Sequence, residues 1–547
     1  MKARRSTRRK FLKQVGYSGA ALTAGPWVAR AASASVRGPA RVLIHQARVR
    51  SELDRHIFGS FLEHLGRAIY EGVYEPGSKF ADRNGYRKDV MAVIRGLGVP
   101  IVRYPGGNFV SGYHWLDGVG PKNQRPAVLE RAWNSLETNQ FGTNEFMEWC
   151  RLVNTEPLMG FNLGTGTPEM AAALVEYCNV DQGTKWSNLR RQHGYQEPWN
   201  VKYWCLGNEM DGPWQMGHMP ARDYGRKARD AAHQIRVISP DAKLIACGSS
   251  NTILPTYLVW DREVLEECYD MVDGISLHNY YGNTKELTGE STARYLAMNL
   301  DMERQIRQII DVCDYVQGIL RSPKRLWLSF DEWNVWYRAR GGRFANGERK
   351  FAPHLLEEQY NLEDALLVGG FLNTLLRASD RVQMACLAQL VNVIAPLMTN
   401  ETSVLRQTIF YPYAWALQYA QGRVLDLPVD SESYPIQADG LRADFAIGAQ
   451  VPYLDVAATI NSSGQVCAFI LNRDLESGRE LVLEWLDPTP TRVLQCQTLT
   501  GTDLKAINTF ERPNTVVPQP LDAPKAGRRM TFKLPPRSYT VVQIATA

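Results

Sequence analysis

The first 51 residues of this 547-residue chain contain no aspartate or glutamate, and the first acidic residue is Glu52. Eight lysines and arginines lie within the first 34 residues, so that without this segment the formal net charge changes from +5 to −3. Proteins that hold nucleic acid by its phosphates present a basic surface. The sequence therefore predicts no nucleic-acid partner.

Long hydrophobic runs are also missing. The run Val15–Val28 is shorter than the about 20 apolar residues that a membrane-spanning helix needs, so we expect no membrane span. Upstream of it, Thr7–Lys13 resembles a twin-arginine export signal, and Ala29–Ala31 or Ala32–Ala34 offers a cleavage site of small residues. We expect residues 1–34 to be a signal peptide and the protein to be periplasmic or secreted. The alternative is a basic, disordered tail.

Paired cysteines and clustered histidines are absent as well. The nine cysteines include no Cys-x-x-Cys pair and the nine histidines no His-Glu-x-x-His motif, so we expect no disulfide framework, no metal and no cofactor. The stretch Gly164–Glu169 begins like a dinucleotide-binding fingerprint, but its sixth position is glutamate instead of glycine. A phosphate-binding loop and a Gly-x-Ser-x-Gly elbow are missing too. These absences disfavour nucleotide-dependent enzymes and serine hydrolases.

From residue 57 to 410, short apolar runs alternate with longer helical segments, as in parallel α/β proteins. The strand candidates number eight, which is the number of βα units that close a TIM barrel. We therefore predict an α/β fold with a (β/α)8 TIM barrel over residues 57–410. The candidate strands are Ile57–Leu62, Pro100–Tyr104, Leu158–Leu163, Val201–Leu206, Lys243–Cys247, Val272–Leu277, Leu326–Phe330 and Met384–Leu390; the helices include Arg87–Leu97, Asn144–Val153, Pro168–Cys178, Ala221–Ile238, Ala293–Leu320 and Leu362–Ala378.

After about Tyr411 the pattern changes to alternating strands and turns with little helical periodicity. We expect a C-terminal antiparallel β-sandwich domain over residues 411–547. Residues 41–49 alternate in the same way, so the segment 35–56 is expected to add a strand to this sandwich. The predicted sandwich strands are Val456–Ile460, Val466–Leu471, Leu481–Trp485, Val493–Leu499, Met530–Leu534 and Tyr539–Ile544.

The residues that follow the barrel strands are unusually polar, and in a TIM barrel these positions carry the chemistry. Glu209 follows strand four and Glu332 follows strand seven, which suggests two carboxylates facing one substrate. Nearby aromatic rings would suit sugar rings, although Trp333 and Trp336 could equally belong to the core. The other polar positions at strand ends are Glu63 and His64, Asn108, Asn208, His278, Asn279 and Tyr280, Asp331 and Asn334, and Gln389; the other aromatic residues are Trp115, Trp214 and Tyr281.

The chain contains four long motifs, Gly59–Arg67 (GSFLEHLGR), Arg103–Tyr113 (RYPGGNFVSGY), Trp204–Trp214 (WCLGNEMDGPW) and Phe330–Tyr337 (FDEWNVWY). These motifs resemble those of the α-L-arabinofuranosidases of glycoside hydrolase family 51. The resemblance runs from about residue 57 into the C-terminal region. It implies a TIM barrel with a β-sandwich and a homo-oligomer, often a hexamer.

The resemblance also implies a retaining mechanism, with Glu209 as acid/base and Glu332 as nucleophile. Asn208 is expected to bind the hydroxyl beside the anomeric carbon, and Tyr280 to orient the nucleophile. Three further side chains, those of Glu63, Asn108 and Gln389, are expected to bind the remaining furanose hydroxyls. Glu63 could instead be a structural partner of Arg67 or Arg103.

The sequence therefore predicts an exo-acting α-L-arabinofuranosidase that releases terminal arabinose from arabinan, arabinoxylan or their oligosaccharides. Two alternatives stay open. A catalytically silent carbohydrate-binding protein would have lost a carboxylate, and both are present. A different retaining specificity, such as an endoglucanase or a β-xylosidase, would share the two glutamates, and mid-chain cleavage would distinguish the endo-acting enzyme.

Overall fold

The structure is a computed structural model that describes residues 38–340 and 349–547. The expected signal peptide, residues 1–34, lies outside the described residues. Residues 39–547 form one compact unit. Within the described ranges, no helix combines the length and the apolar character that crossing a membrane requires.

The first twelve strands include the whole of the barrel. They are β1 (Ala40–His45), β2 (Val49–Glu52), β3 (Gly59–Phe61), β4 (Ile101–Tyr104), β5 (Val128–Glu130), β6 (Ser135–Glu137), β7 (Glu156–Gly160), β8 (Tyr203–Cys205), β9 (Lys243–Ala246), β10 (Gly274–Tyr281), β11 (Trp327–Val335) and β12 (Val382–Leu387).

Thirteen further strands follow in the described part of the chain. They are β13 (Leu397–Thr399), β14 (Val404–Arg406), β15 (Arg423–Leu425), β16 (Val429–Asp430), β17 (Ser433–Pro435), β18 (Gln450–Pro452), β19 (Leu454–Ile460), β20 (Val466–Asn472), β21 (Arg479–Asp487), β22 (Pro490–Leu499), β23 (Gln519–Pro520), β24 (Arg529–Leu534) and β25 (Ser538–Thr546).

The described α-helices are mostly those that cover the barrel. They are α1 (Lys88–Leu97), α2 (Thr143–Val153), α3 (Pro168–Asn179), α4 (Lys185–Gln192), α5 (Ala221–Ile238), α6 (Val259–Cys268), α7 (Lys285–Thr288), α8 (Thr292–Tyr295), α9 (Asn299–Leu320), α10 (Leu362–Arg377), α11 (Phe410–Tyr419) and α12 (Arg442–Ile447).

Eight parallel strands close the barrel in chain order, and the ring is completed where β12 pairs with β3. The predicted TIM barrel is thus confirmed. Close packing requires a glycine at the start of β3, because a Cβ on Gly59 would lie 2.7 Å from Ile101 Cγ2 and 2.9 Å from the Ala385 carbonyl oxygen. Parallel strands place all their carboxyl ends at one mouth, so this topology brings the polar strand ends together.

The predicted C-terminal β-sandwich is also confirmed. One sheet has the order β16-β1-β21-β24 and the other β2-β15-β19-β20-β25-β22-β23. Side chains from both sheets, such as Val42, Ile470 and Phe532, form a separate apolar core. The strands are antiparallel except that β1, which precedes the barrel in the chain, pairs with β21 in parallel.

Helix boundaries differ from the sequence prediction at two places. The expected helix Ala293–Leu320 is two helices, because the backbone hydrogen bonds between α8 and α9 span three residues instead of four, as from the Met298 amide to the Tyr295 carbonyl. The expected boundary between the domains, residues 410 and 411, falls inside helix α11, whose buried face packs on the barrel side. This helix is apolar almost all round, so its sequence lacks the alternation of faces that marks an amphipathic helix.

The barrel and the sandwich share a buried polar contact. Asp455 on β19 accepts hydrogen bonds from Arg377 on α10 (2.8 Å) and Arg473 (3.0 Å). Asn299 at the start of α9 donates to the same carboxylate at 3.1 Å. Burial disfavours the charged carboxylate, but the two arginines hold the pKa of Asp455 well below its usual range. This cluster fixes the sandwich against the helices of the barrel.

Candidate active site

The two predicted catalytic carboxylates meet at the mouth of the barrel. Glu209 follows β8 and Glu332 lies near the end of β11, and each has a carboxylate oxygen within 4.8 Å of the other residue's and of a ring nitrogen of His278. Both side chains are buried. Asn208, Tyr280, Asn108, Gln389 and Glu63 lie around them, as described below.

Glu332 is held by two donors from different strands. Arg103 Nη1, from β4, lies 2.5 Å from Glu332 Oε1, and the Tyr280 hydroxyl, from β10, donates to Glu332 Oε2 at 2.8 Å. Charge-assisted hydrogen bonds of this kind favour the ionised carboxylate. The two contacts fix the orientation of the Glu332 carboxylate.

Glu209 stands on a tight turn after β8. Gly207 has φ +107° and Glu209 itself has φ +44°, a left-handed conformation that costs energy for a residue with a Cβ. The Glu209 carboxylate accepts hydrogen bonds from Trp214 Nε1 at 2.6 Å and from His278 Nδ1 at 3.0 Å. The turn and the two donors aim its carboxylate at the mouth.

His278 connects the two glutamates to a third buried carboxylate, Asp331. The second ring nitrogen, Nε2, lies 2.9 Å from Asp331 Oδ1, while Nδ1 faces Glu209. Burial opposes a charge on the ring, but Glu332, Asp331 and Glu209 together raise the pKa of His278 to about 10. The imidazole is therefore a cation at neutral pH and donates from both nitrogens. Three carboxylates then face two cations, His278 and Arg103, so this buried cluster has one negative charge in excess.

Glu63, from the end of β3, lies in a separate part of the pocket. Its Oε1 accepts from the Phe109 amide at 2.9 Å and from Trp133 Nε1 at 2.8 Å, and Gln389 Nε2 lies 3.3 Å from its Oε2. A Cβ on Gly107 would lie 2.8 Å from Glu63 Oε2, so only glycine allows this approach. Burial and the charge of Glu332 raise the pKa of Glu63 to about 8, although the Phe109 amide opposes this.

Glu63 pairs with neither of the arginines that the structural interpretation suggested. Arg67 contacts Glu357 and Glu71, and Arg103 contacts Glu332 and Asp331. With a pKa of about 8, Glu63 carries a proton at neutral pH and can donate a hydrogen bond as well as accept one.

The two asparagines lie side by side. Asn208 Oδ1 accepts from Arg103 Nη2 at 2.7 Å, and its Nδ2 lies 3.5 Å from Asn108 Oδ1. Asn208 is buried, whereas Asn108 is half-buried. Arg103 thus orients both Glu332 and the neighbouring amide.

Three of the aromatic candidates differ in their exposure to solvent. Trp333 is fully buried and belongs to the core. Trp336 is half-buried, and its ring meets that of Tyr280 edge-on, with centroids 5.3 Å apart. Trp214 is 41% exposed beside Glu209, which makes it available to a leaving group.

The chain also offers one set of potential metal ligands among the described residues, namely Glu209, His278 and Glu332. The pKa of about 10 means that both nitrogens of His278 carry protons at neutral pH, and a protonated nitrogen has no lone pair for a metal. The set is therefore better suited to proton transfer than to metal binding.

Sequence reasoning missed one residue of the pocket and undervalued three. Trp133 lies between β5 and β6, a hairpin of three-residue strands that no long motif marks, and it donates to Glu63. Arg103 and Asp331 stand within the motifs and His278 stands at a strand end, but their contacts are made between different strands. Only the barrel geometry reveals those contacts.

Comparisons with known proteins agree with this geometry. Two family models match, "Alpha-L-arabinofuranosidase 1 domain" at residues 93–299 and "Alpha-L-arabinofuranosidase C-terminal domain" at residues 331–538. A relative from Bacillus subtilis, named intracellular exo-alpha-(1->5)-L-arabinofuranosidase 1, is 43% identical over 92% of this chain and 99% of its own length. A family 51 α-L-arabinofuranosidase from Bifidobacterium longum superposes with a TM-score of 0.87 at 36% identity, covering 93% of this chain and all of that one.

These names correct the expectation of export. Relatives from Bacillus subtilis, Halalkalibacterium halodurans, Acetivibrio thermocellus, Streptomyces lividans and Bifidobacterium longum are named intracellular. The prediction of a periplasmic or secreted protein is therefore wrong. It depended on Arg8-Arg9 and a short, weakly apolar run, a pattern that a basic tail also produces.

The two matched domains, the long alignments and the structural match all point to one group of exo-acting hydrolases. The chain belongs to the α-L-arabinofuranosidases of glycoside hydrolase family 51.

Proposed function

We propose that the enzyme hydrolyses terminal non-reducing α-L-arabinofuranosyl residues with retention of configuration, using Glu332 as nucleophile and Glu209 as acid/base. The observation that carries this proposal is the pair of buried carboxylates whose oxygens lie within 4.8 Å of each other. Retaining glycosidases hold their carboxyl groups about 5–5.5 Å apart, whereas inverting enzymes need about 6.5–9.5 Å to admit a water molecule between carboxylate and sugar.

The surroundings of the two carboxylates support different roles. Arg103 and Tyr280 hold the Glu332 carboxylate in one orientation, which suits attack on the anomeric carbon. Glu209 lies beside the partly exposed Trp214, where a leaving group can depart. Because the buried cluster already has one negative charge in excess, a proton on Glu209 relieves repulsion before the reaction begins.

In the first step, Glu209 donates its proton to the glycosidic oxygen as the bond from that oxygen to the anomeric carbon breaks, and a Glu332 oxygen bonds to that carbon. The negative charge on Glu332 is then consumed, so Glu209 can remain ionised. In the second step, Glu209 takes a proton from water, whose oxygen attacks the anomeric carbon and releases Glu332. Two inversions give net retention.

The remaining polar side chains are proposed to bind the furanose. Asn208 would contact the hydroxyl beside the anomeric carbon, where a hydrogen bond strengthens as positive charge develops. Glu63, Gln389 and Asn108 would bind the other hydroxyls. A buried pocket lined in this way accepts a terminal residue, which supports exo action.

We propose arabinan, arabinoxylan and their oligosaccharides as substrates. Relatives are named for (1->5) linkages, and one from Bifidobacterium longum for (1->6) linkages, so linkage has to be measured on this enzyme. The competing specificity is an endoglucanase or β-xylosidase on the same pair of glutamates.

The decisive test is the hydrolysis of an aryl α-L-arabinofuranoside by the wild type and by Glu332→Ala, with and without azide. We expect an active wild type, an inactive variant, and restored bond cleavage with azide that yields a glycosyl azide of inverted configuration. Glu357→Ala serves as a matched control, because this carboxylate pairs with Arg67 away from the catalytic pair. Azide rescue of Glu209→Ala but not of Glu332→Ala would reverse the two roles. Activity on an aryl xyloside or a glucan alone would overturn the substrate assignment.

A further inference from the structure

Glu209 stands on a backbone turn that an ordinary side chain does not favour. Its φ of +44° lies in the left-handed region, and the Gly212 amide closes the turn on the Glu209 carbonyl at 2.8 Å. A left-handed residue with a Cβ persists only where the surrounding structure holds it in place. The contacts of this turn with neighbouring loops therefore set the position of the Glu209 carboxylate.

On one side, the loop that carries Glu209 packs backbone against backbone. A Cβ on Gly164, which follows β7, would lie 2.4 Å from the Met216 carbonyl oxygen, and a Cβ on Gly217 would lie 2.5 Å from the Gly164 carbonyl carbon. Gln215 also donates to the Ser111 hydroxyl in the loop after β4. Close packing of main chain holds this side of the loop.

On the other side, the turn is attached through the carboxyl group of Asp211. Its Oδ2 accepts a hydrogen bond at 3.0 Å from the Ser250 amide, in the loop that follows β9. That loop is held by Asp261 on α6, which accepts from the Ser249 amide at 2.8 Å and from the Ser249 hydroxyl at 2.5 Å. Helix α6 thus fixes the loop, and Asp211 connects the loop to Glu209, two residues away.

The carboxyl group of Asp211 is poorly suited to a purely stabilising role. Its Oδ1 is buried and accepts no hydrogen bond from the described residues, and an unpaired buried oxygen lowers stability. Burial and the charge of Glu209 raise the pKa of Asp211 to about 7, although the Ser250 amide opposes this. The Ser250 amide needs an acceptor oxygen, which the ionised and the protonated form both supply.

We propose that Asp211 is a positioning residue, which holds the Glu209 turn against the loop after β9 so that the Glu209 carboxyl group reaches the glycosidic oxygen. Glu332 is held separately, by Arg103 and Tyr280. Loss of the Asp211 contact should therefore impair the steps in which Glu209 moves a proton and spare the attack by Glu332. This inference rests on the proposed function, since it assumes the roles of the two glutamates.

The test compares kcat/KM for two aryl α-L-arabinofuranosides that differ in their need for a proton. Dinitrophenolate leaves as a stable anion, whereas phenol leaves only when the glycosidic oxygen is protonated. For Asp211→Ala, kcat/KM on the phenyl substrate should fall by about 10–100-fold, as expected of a misplaced catalytic group, and that on the dinitrophenyl substrate should stay close to wild type. Azide needs no general base, so it should raise kcat on the dinitrophenyl substrate more for this variant than for wild type.

Asp211→Asn keeps an acceptor oxygen for the Ser250 amide, so the ratio of kcat/KM between the two substrates should stay at the wild-type value. Asp503→Ala removes an acceptor of the Lys505 amide in the C-terminal region; it is the matched control and should keep the ratio as well. Three results would overturn the positioning role while wild-type hydrolysis continues: an equal loss on both substrates in Asp211→Ala, an unchanged ratio in that variant, or the same changed ratio in Asp211→Asn. A wild type that hydrolyses neither arabinofuranoside would instead refute the proposed function.

Discussion

The protein contains two buried clusters of charged side chains, and the charges are balanced in one cluster and unbalanced in the other. At the contact between barrel and sandwich, the single carboxylate of Asp455 receives two arginines, Arg377 and Arg473, and the amide of Asn299. Glu303 approaches Arg377 at 3.7 Å from the partly exposed side. Every charge therefore has an opposite partner, and the pKa of Asp455 is held below its usual range.

The cluster at the barrel mouth is unbalanced. Glu209, Asp331 and Glu332 face Arg103 and a protonated His278, so that one negative charge lacks a cation. Balanced pairing minimises the cost of burial, whereas an excess carboxylate is costly unless it binds a proton. The balanced charges of the interface cluster therefore favour stability, and the unbalanced charges of the mouth cluster suit the proton transfer proposed for it.

Glu332→Gln in the mouth cluster should abolish catalysis without lowering the stability of the protein. Removal of a catalytic nucleophile lowers kcat by about 10⁴-fold or more. The substitution also removes the excess charge, so the melting temperature should stay equal to that of the wild type or rise. Steady-state kinetics and calorimetry on the same preparation measure both quantities. A variant that is inactive because it has unfolded would contradict the comparison.

Asp455→Asn should lower the stability of the protein without changing its catalytic rate. It leaves Arg377 and Arg473 without their carboxylate, and breaking a buried ion pair costs about 3–5 kcal/mol. At the average unfolding entropy per residue, a chain of this size loses about 1 °C for each kcal/mol, so the melting temperature should fall by about 3–5 °C. Below the transition, kcat should be unchanged. A drop in kcat with an unchanged melting temperature would show that this cluster serves the active site.

His278→Gln tests whether the cation in the mouth cluster sets the working pH. Without the positive charge between Glu209 and Asp331, the carboxylates of the cluster repel one another and therefore bind protons more tightly. We expect kcat/KM to fall by about 10²-fold, the usual contribution of a positioned acid or base, and the pH profile to move towards higher pH. His233→Gln, on the outer helix α5, is the control. A pH profile of kcat/KM that stays at the wild-type position would assign His278 a purely structural role.

An effect on stability that is confined to a range of pH concerns Glu63, whose pKa of about 8 lies above its ordinary value of 4.5. A carboxyl group with a raised folded-state pKa binds more protons in the folded than in the unfolded state, so its contribution to stability is lost as the pH rises from about 4.5 to 8. Each pKa unit corresponds to about 1.4 kcal/mol, so the melting temperature of Glu63→Gln relative to wild type should increase by about 4–5 °C across this window. Thermal unfolding at several pH values measures it, and a flat difference would show that Glu63 is ionised throughout.

The barrel was predictable because its strands are short, apolar runs separated by segments with helical hydrophobic periodicity. The sandwich was predictable because apolar and polar residues alternate along its strands. Helix α11 was missed because it is apolar on most of its surface, so nothing in its periodicity separates it from a buried strand. Trp133 was missed because the strands that flank it contain only three residues each.

The sequence by itself determined the fold class and the family and pointed to the two glutamates as the proposed catalytic pair, because these depend on local patterns and on motifs that stand in one stretch of chain. Tertiary structure alone decided the electrostatics of the site. The raised pKa values of His278 and Glu63 arise between groups on different strands, and Coulomb interactions depend on distance in space.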